Sequence, residues 1–109
     1  MPIREISVEE LEALRREEGR VLLLDVRSED EHELARIEPS LLVPLPELSL
    51  RLDELERHRD ARIVVYCHHG VRSRSGAAIL QGAGFTDVVS LREGIDAWSA
   101  RVDPKVPRY

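Results

Sequence analysis

Residues 62–66, which are apolar after Arg62, lead straight into Cys67, the only cysteine in this chain of 109 residues. Small and apolar residues with helical spacing follow at 73–83. Cys67 is therefore predicted to lie where a buried strand ends and a helix begins, and backbone N–H groups at such a junction favour a negative charge. Because the thiolate is the reactive form of cysteine, the junction predicts a nucleophilic sulfur.

Strand-like and helix-like segments alternate along the chain. The runs at 21–26 and 63–66 are apolar without alternation, which is typical of strands covered on both faces. Shorter strands are predicted at 3–6, 41–43 and 88–91, and helices at 8–16, 28–35, 73–83 and 95–101, with a weaker helix from 46. Residues 102–109 include two prolines and are predicted to be irregular. The alternation predicts an α/β fold with a mainly parallel sheet and right-handed crossovers.

Two of the predicted helices begin with a serine that is followed three residues later by a glutamate. These candidate capping boxes are Ser7 with Glu10 and Ser28 with Glu31. The acidic run 29–31 also suits the positive end of a helix dipole. We interpret this run as a solvated helix start.

The length of the chain allows one domain with one hydrophobic core, predicted to span residues 1–109. No apolar run approaches a membrane span, and the start of the chain lacks the features of a secretory signal. A lone cysteine cannot form an internal disulfide, so the reducing cytoplasm is the expected compartment. The 16 basic and 21 acidic residues give a net charge of −5, which argues against binding to nucleic acid or an anionic membrane.

The composition is biased among the basic residues and the amide residues. Fifteen of the 16 basic residues are arginine, asparagine is absent and Gln81 is the only amide side chain. This composition fits a thermophile. It follows equally from a GC-rich genome.

Two of the predicted strands end in polar residues that suit a binding site. Ligands of open parallel sheets bind outside the carboxyl ends of the strands, and here these ends have Asp25 with Arg27, and the loop that starts at Cys67. Gly70 permits backbone angles that other residues avoid, so this loop can turn its N–H groups towards the sulfur. Arg72 adds a positive charge at the far end of the loop. Asp25 and Arg27 are expected to hold the edge of the site through hydrogen bonds.

Three motifs at consistent spacing are Asp25-Val26-Arg27, Cys67-x-x-Gly70-x-Arg72-Ser73 and a later segment ending in Trp98. Through them the sequence resembles single-domain rhodaneses, the thiosulfate sulfurtransferase family, over nearly its whole length. The resemblance implies a five-stranded, mainly parallel sheet flanked by helices on both faces. The chain also departs from the family pattern, because Arg36 stands where a histidine is common and Glu93 where a glycine is common.

The resemblance implies a sulfur transfer in two steps, with Cys67 as the catalytic residue. The Cys67 thiolate would attack the outer sulfur of thiosulfate, release sulfite and become a persulfide; cyanide or a cellular thiol would then remove the sulfur. The residues implied to bind substrate are His68, His69, Gly70, Val71 and Arg72, and the supporting residues are Asp25, Arg27 and Ser73. The implied partners are a small anionic sulfur donor and proteins that donate or accept a persulfide. Neither a metal nor an organic cofactor is needed for this chemistry.

Other interpretations of the same loop remain open. A regulatory or binding module would use the fold without turnover, but it would not need a cradle for a thiolate. A phosphatase or arsenate reductase is disfavoured because the phosphatases that resemble rhodaneses have one more residue in this loop, and one residue adds roughly 3.5 Å of chain. His68 and His69 either contact an anionic substrate or are simply solvated. A metal site at residues 67–69 is disfavoured, since consecutive residues rarely converge on one tetrahedral ion.

Overall fold

The computed structural model describes residues 2–17 and 21–109, and the strands in these ranges form one sheet. The strands are β1 (Glu5–Ile6), β2 (Val21–Asp25), β3 (Leu41–Leu42), β4 (Arg62–Tyr66) and β5 (Val88–Leu91). Their order is β1-β5-β4-β2-β3, and each of these neighbouring pairs is parallel. The predicted α/β fold with a five-stranded parallel sheet is confirmed. The outer strands β1 and β3 are shorter than the segments predicted at 3–6 and 41–43.

Helices lie between these strands and after the last of them. They are α1 (Val8–Glu17), α2 (Glu29–Leu34), α3 (Leu45–Leu48), a 3₁₀ helix (Leu52–His58), α4 (Val71–Gly82) and α5 (Gly94–Arg101). The stop of α1 predicted from residues 18 and 19 lies outside the described residues. Residues 102–109 contain no regular helix or strand, as predicted. In the described ranges, no helix has the length and apolar character needed to cross a membrane.

The helix predicted from residue 46 is instead two short pieces, α3 and the 3₁₀ helix. Leu48 and Leu55 are fully buried, whereas Leu50 between the pieces is 84% exposed. The prediction relied on leucines at 48, 50, 52 and 55, but residues two positions apart on a helix, such as 48 and 50, do not share a face. One continuous helix could not bury them all, and the chain turns between the two pieces.

Hydrophobic residues are buried on both faces of the sheet. Along β4, Val64 and Tyr66 belong to one cluster of buried residues, and Ile63 and Val65 belong to another. The first cluster includes residues of α1 and α5, and the second includes residues of α3, the 3₁₀ helix and α4. Successive side chains of a strand point to opposite faces, so the apolar run of β4 fills both layers. The helices therefore flank the sheet on both faces, as predicted.

Both predicted capping boxes are confirmed. At α1, the backbone N–H of Glu10 donates to Ser7 Oγ (3.0 Å), and the backbone N–H of Ser7 donates to Glu10 Oε1 (2.9 Å). The same reciprocal pair links Ser28 and Glu31 at α2, with both distances 3.2 Å. Each box satisfies N–H groups that the first turn of a helix leaves without partners.

Helix α4 lies close to the sheet because its inner face has small residues. A Cβ atom placed on Gly76 would lie 3.2 Å from side-chain carbons of both Val26 and Val65. Such a separation is shorter than an ordinary carbon–carbon contact. The close approach fixes the position of α4, whose first turn follows the Cys67 loop.

The close approach can be tested with a matched pair of substitutions on α4. Gly76→Leu should lower the free energy of unfolding by about 2 kcal/mol or more, because the new side chain overpacks the space against Val26 and Val65. Gly82→Leu should change it by less than about 1 kcal/mol, since a Cβ at the exposed Gly82 meets nothing within 4 Å and leucine favours the helix. Urea denaturation measures both effects. Equal losses in the two variants would contradict the packing described here.

Candidate active site

The polar ends of β2 and β4 lie side by side at the carboxyl edge of the sheet. Asp25 pairs in register with Tyr66, and Cys67 is the next residue along the chain. The N–H of Val26 donates to the carbonyl of Tyr66 (3.2 Å), which continues the pairing beyond the strands. The sequence-based expectation that these two strand ends meet at one edge is confirmed.

The sulfur of Cys67 lies within the loop that connects β4 to α4. The backbone N–H groups of Gly70 and Ser73 donate to Sγ at 3.1 and 3.3 Å. The hydroxyl of Ser73 is 3.5 Å from Sγ and 2.7 Å from the hydroxyl of Ser90. Gly70 has a φ of 100°, a left-handed conformation that suits glycine and aims its N–H at the sulfur. This arrangement favours a negative charge on a sulfur that belongs to a residue only 1% exposed.

The start of α5 holds the first part of this loop. The N–H groups of Ile95 and Asp96 donate to the carbonyls of Cys67 (2.9 Å) and His68 (3.1 Å). Gly94 has a φ of 63°, and a Cβ atom there would collide with both carbonyl oxygens. Glu93, where the family commonly has glycine, also adopts a left-handed φ of 66°. The departure at Glu93 therefore leaves the local backbone in the conformation that glycine would favour.

Asp25 and Arg27 form a fully buried ion pair beside the loop. Arg27 Nε donates to Asp25 Oδ1 (2.9 Å) and Arg27 Nη2 donates to Asp25 Oδ2 (2.8 Å), while His32 Nδ1 lies 2.8 Å from Oδ2. Arg27 also donates to the carbonyl of Ala35 and, at 2.7 Å, to the hydroxyl of Tyr109. Burial alone would lower the pKa of Arg27, but the hydrogen bonds to Asp25 and Tyr109 outweigh it, and the pKa is raised.

Arg72, at the far end of the loop, makes a bidentate ion pair with Glu31 of α2. Its Nη1 donates to Glu31 Oε1 at 2.7 Å and its Nη2 donates to Oε2 at 3.0 Å. These bonds hold the pKa of Glu31 well below its usual range, despite partial burial, and the hydroxyl of Tyr109 adds to the effect. They also raise the pKa of Arg72. The interpretation of the run 29–31 as a solvated helix start holds for Glu29 and Asp30, which are exposed, but not for Glu31, whose side chain is only 20% exposed.

One of the two loop histidines, His68, lies beside the ring of Tyr109. His68 stacks on Tyr109 with ring centroids 3.9 Å apart and planes within 7° of each other. The ring centroid of His69 also lies 3.9 Å from that of His68. Burial, followed by the nearness of His69, lowers the pKa of His68 and so disfavours its charged form. Burial and the hydrogen bond to Glu31 raise the pKa of Tyr109 to about 12. His69 and Val71 are exposed on the outside of the loop.

Sequence reasoning did not connect Glu31 or Tyr109 with the site. The capping box identified Glu31 only as the start of a helix. Tyr109 lies in the segment that was correctly predicted to be irregular, and no local pattern indicated that its hydroxyl would bridge Arg27 and Glu31. Both contacts join residues that are far apart in the sequence.

The parallel α/β sheet, with a lone cysteine in a loop at its carboxyl edge, agrees with the class suggested by the sequence motifs. The chain matches the family model described as a rhodanese-like domain over residues 7–101. It therefore belongs to the rhodanese-like domain family.

Individual relatives carry more specific names. The chain is 34% identical over 97 residues to "Sulfurtransferase" of Allochromatium vinosum, with 89% of each chain covered. It is 35% identical over 92 residues to "Probable adenylyltransferase/sulfurtransferase MoeZ" of Mycobacterium tuberculosis, covering 84% of this chain but only 24% of that protein. The thiosulfate sulfurtransferase structure from Pseudomonas aeruginosa superposes with a TM-score of 0.84 at 30% identity, over 97% of this chain and 20% of that one. These relatives support sulfurtransferase activity in general.

The contact between Tyr109 and His68 predicts a measurable titration shift. In the wild type, the NMR resonances of the His68 ring should titrate with a pKa below the ordinary value of 6.5, because burial disfavours the charged ring. Tyr109→Ala should raise this pKa towards 6.5, whereas Tyr109→Phe, which retains a stacked ring, should leave it low. His68→Gln assigns the resonance among the four histidines.

The lowered pKa of His68 also determines the direction in which this residue makes folding stability depend on pH. Folding depresses the pKa of His68, so its contribution to stability is present above pH 6.5 and is lost as the pH falls below this value. An unchanged His68 titration in Tyr109→Ala would contradict the stacking contact as the source of burial.

Proposed function

We propose that this protein is a sulfurtransferase in which Cys67 carries the transferred sulfur as a persulfide. The observation that supports this role most directly is the pair of contacts from the N–H groups of Gly70 and Ser73 to Sγ. Hydrogen bonds from backbone N–H groups stabilise an anionic sulfur without a metal or an organic cofactor. The names of the relatives are consistent with the proposal.

In the first half-reaction, the Cys67 thiolate attacks the outer sulfur of thiosulfate or of another donor with a sulfane sulfur. A new S–S bond forms as the donor's S–S bond breaks, and sulfite leaves from thiosulfate with the bonding electron pair. In the second half-reaction, an acceptor thiol or cyanide attacks the terminal sulfur of the persulfide and releases the Cys67 thiolate. No external oxidant or reductant is required.

The neighbouring residues receive roles that follow from their contacts. Gly70 and Ser73 stabilise charge on the sulfur, and the buried pair of Asp25 and Arg27 holds the edge of the site. The remaining residues proposed to face a substrate are His68, His69, Val71 and Arg72. The exposed positions of His69 and Val71 on the loop suit contact with a protein that brings or removes a persulfide.

The context of the reaction is part of the proposal. We propose that residues 1–109 act as one domain and that transfer takes place in the cytoplasm. Proteins that carry sulfur are proposed as donors or acceptors, in view of the similarity to one part of MoeZ. Thiosulfate and cyanide are proposed as substrates that suffice in an assay.

The persulfide role of Cys67 predicts a gain in mass. Incubation of the pure protein with thiosulfate should add the mass of one sulfur atom, and cyanide should then remove it as thiocyanate. Cys67→Ser should neither gain this mass nor form thiocyanate, because a serine hydroxyl is not ionised under these conditions. Ser90→Ala, which removes a hydroxyl bonded to Ser73 but not to Sγ, should retain both reactions. Intact-mass spectrometry and a colorimetric thiocyanate assay give the two readouts.

The same experiment separates the alternatives. A wild-type protein that acquires no sulfur from thiosulfate or from a low-molecular-weight persulfide would contradict the proposal and favour a binding or regulatory module. Hydrolysis of an aryl phosphate that depends on Cys67, without any thiocyanate, would indicate a phosphatase instead.

A further inference from the structure

The Glu31 carboxylate lies beside the first turn of α4 and is held in place by hydrogen bonds from several residues. Besides the two bonds from Arg72, it accepts hydrogen bonds from the hydroxyl of Tyr109 at 2.7 Å and from the N–H and hydroxyl of Ser28 at 3.2 Å. The side chains of Glu31 and Arg72 are 20% and 39% exposed. A bidentate pair supported in this way is more ordered than an isolated surface ion pair.

This arrangement balances the positive charges of two arginines near Cys67. The charge of Arg72 is matched by Glu31, and the charge of buried Arg27 is matched by Asp25. The ring of His68 is stacked on Tyr109 and has the tilted ring of His69 on it as well, and burial lowers its pKa and so disfavours its charged form. The loop therefore offers the sulfur N–H dipoles, which act at short range, while the charges of Arg27 and Arg72 are balanced and give little attraction for a dianion.

We infer that Glu31 is a specificity-determining residue, which balances the charge of Arg72 and so directs the Cys67 site towards sulfur donors with at most one negative charge. The substrate class that fits is a persulfide, R–S–S–H or its anion, rather than dianionic thiosulfate. This inference rests on the proposed function, and it assigns to Glu31 an electrostatic effect on donors rather than a chemical step.

The transfer from a persulfide is balanced without a further reactant. The Cys67 thiolate attacks the outer sulfur of R–S–S–H, the S–S bond of the donor breaks, and R–S⁻ leaves with the bonding electron pair. The outer sulfur, with its proton, remains on Cys67 as a persulfide. One S–S bond is formed and one is broken, so there is no net oxidation.

The experiment measures the charge preference at Cys67 separately from sulfur transfer. Wild type, Glu31→Gln, Glu31→Asp and Glu56→Gln are alkylated with iodoacetate, which has one negative charge, and with uncharged iodoacetamide. Glu56→Gln is the matched control: Glu56 makes a bidentate pair with Arg59 (2.9 and 2.8 Å) before β4, at the opposite end of that strand. A strand of five residues separates the two ends by roughly 15 Å.

Glu31→Gln should raise the ratio of the iodoacetate rate to the iodoacetamide rate about threefold at low ionic strength, because one negative charge near the reagent is removed. Added salt should reduce this gain. Glu31→Asp and Glu56→Gln should leave the ratio near that of the wild type. Replacing Arg72 with Gln in the Glu31→Gln variant should cancel the gain, since Arg72 is the charge that becomes unbalanced.

Sulfur donors should follow the same rule. Thiosulfate has two negative charges, so its kcat/KM, relative to the iodoacetamide rate, should rise by about the square of the iodoacetate gain, roughly ninefold. The persulfide of cysteamine has no net negative charge, and Glu31→Gln should not raise its kcat/KM. The wild type should therefore have a higher kcat/KM for this persulfide than for thiosulfate. Glu31→Gln should reduce the ratio of these two values.

Two results would overturn the inference. One is a ratio of the iodoacetate rate to the iodoacetamide rate that does not change in a folded Glu31→Gln protein. This result is expected if Glu31 only caps α2, because its replacement would then change both rates by the same factor. The other is an equal rise in Glu56→Gln, which would reflect net charge alone. If the wild type transfers no sulfur from any donor, the proposed function fails, while the reagent ratio still decides whether Glu31 controls charge at Cys67.

Discussion

The peptide groups of the loop between β4 and α4 make hydrogen bonds both towards the sulfur and towards α5, and the rest of the site depends on this arrangement. The N–H groups of Gly70 and Ser73 point inward to Sγ of Cys67, while the carbonyls of Cys67 and His68 point outward to N–H groups at the start of α5. A buried peptide group without a partner is costly, so the loop can hold this shape only if α5 begins where it does. The position of the sulfur is thus set by a helix that comes later in the chain.

Much of the fold could be predicted because its determinants are local. The unbroken apolar runs at 21–26 and 63–66 predicted strands covered on both faces, and Ser7 and Ser28 identified the starts of α1 and α2. Where the local pattern was ambiguous, the prediction was less accurate. The leucines between 48 and 55 suggested one helix, but only tertiary packing determines which of them are buried, and the chain divides there.

The site, like the fold, has some features that are determined by neighbouring residues and others that depend on residues far apart in the sequence. The loop motif identified Cys67, Gly70 and Ser73 because a strand end, a glycine and a helix start are adjacent in the sequence. The ion pair of Glu31 with Arg72 joins residues 41 positions apart, and the bond between Glu31 and Tyr109 joins residues 78 positions apart. No pattern within a short window encodes such contacts, since they arise only when α2 and the last residues of the chain fold against the same edge of the sheet.

Under the proposed function, the electrostatics of the site separate the stabilisation of the sulfur from the recruitment of a donor. Peptide dipoles act on the atom they touch and weaken quickly with distance, whereas an unbalanced charge is felt over roughly 8–10 Å in physiological salt. Here the dipoles contact Sγ directly, and the nearby guanidinium of Arg72 is balanced by Glu31. The protein as a whole has a net charge of −5, which further opposes the approach of anions. A thiolate can therefore be stabilised at the loop without a field that selects the most highly charged donor, and selection then depends on the shape and charge of whatever docks beside Arg72.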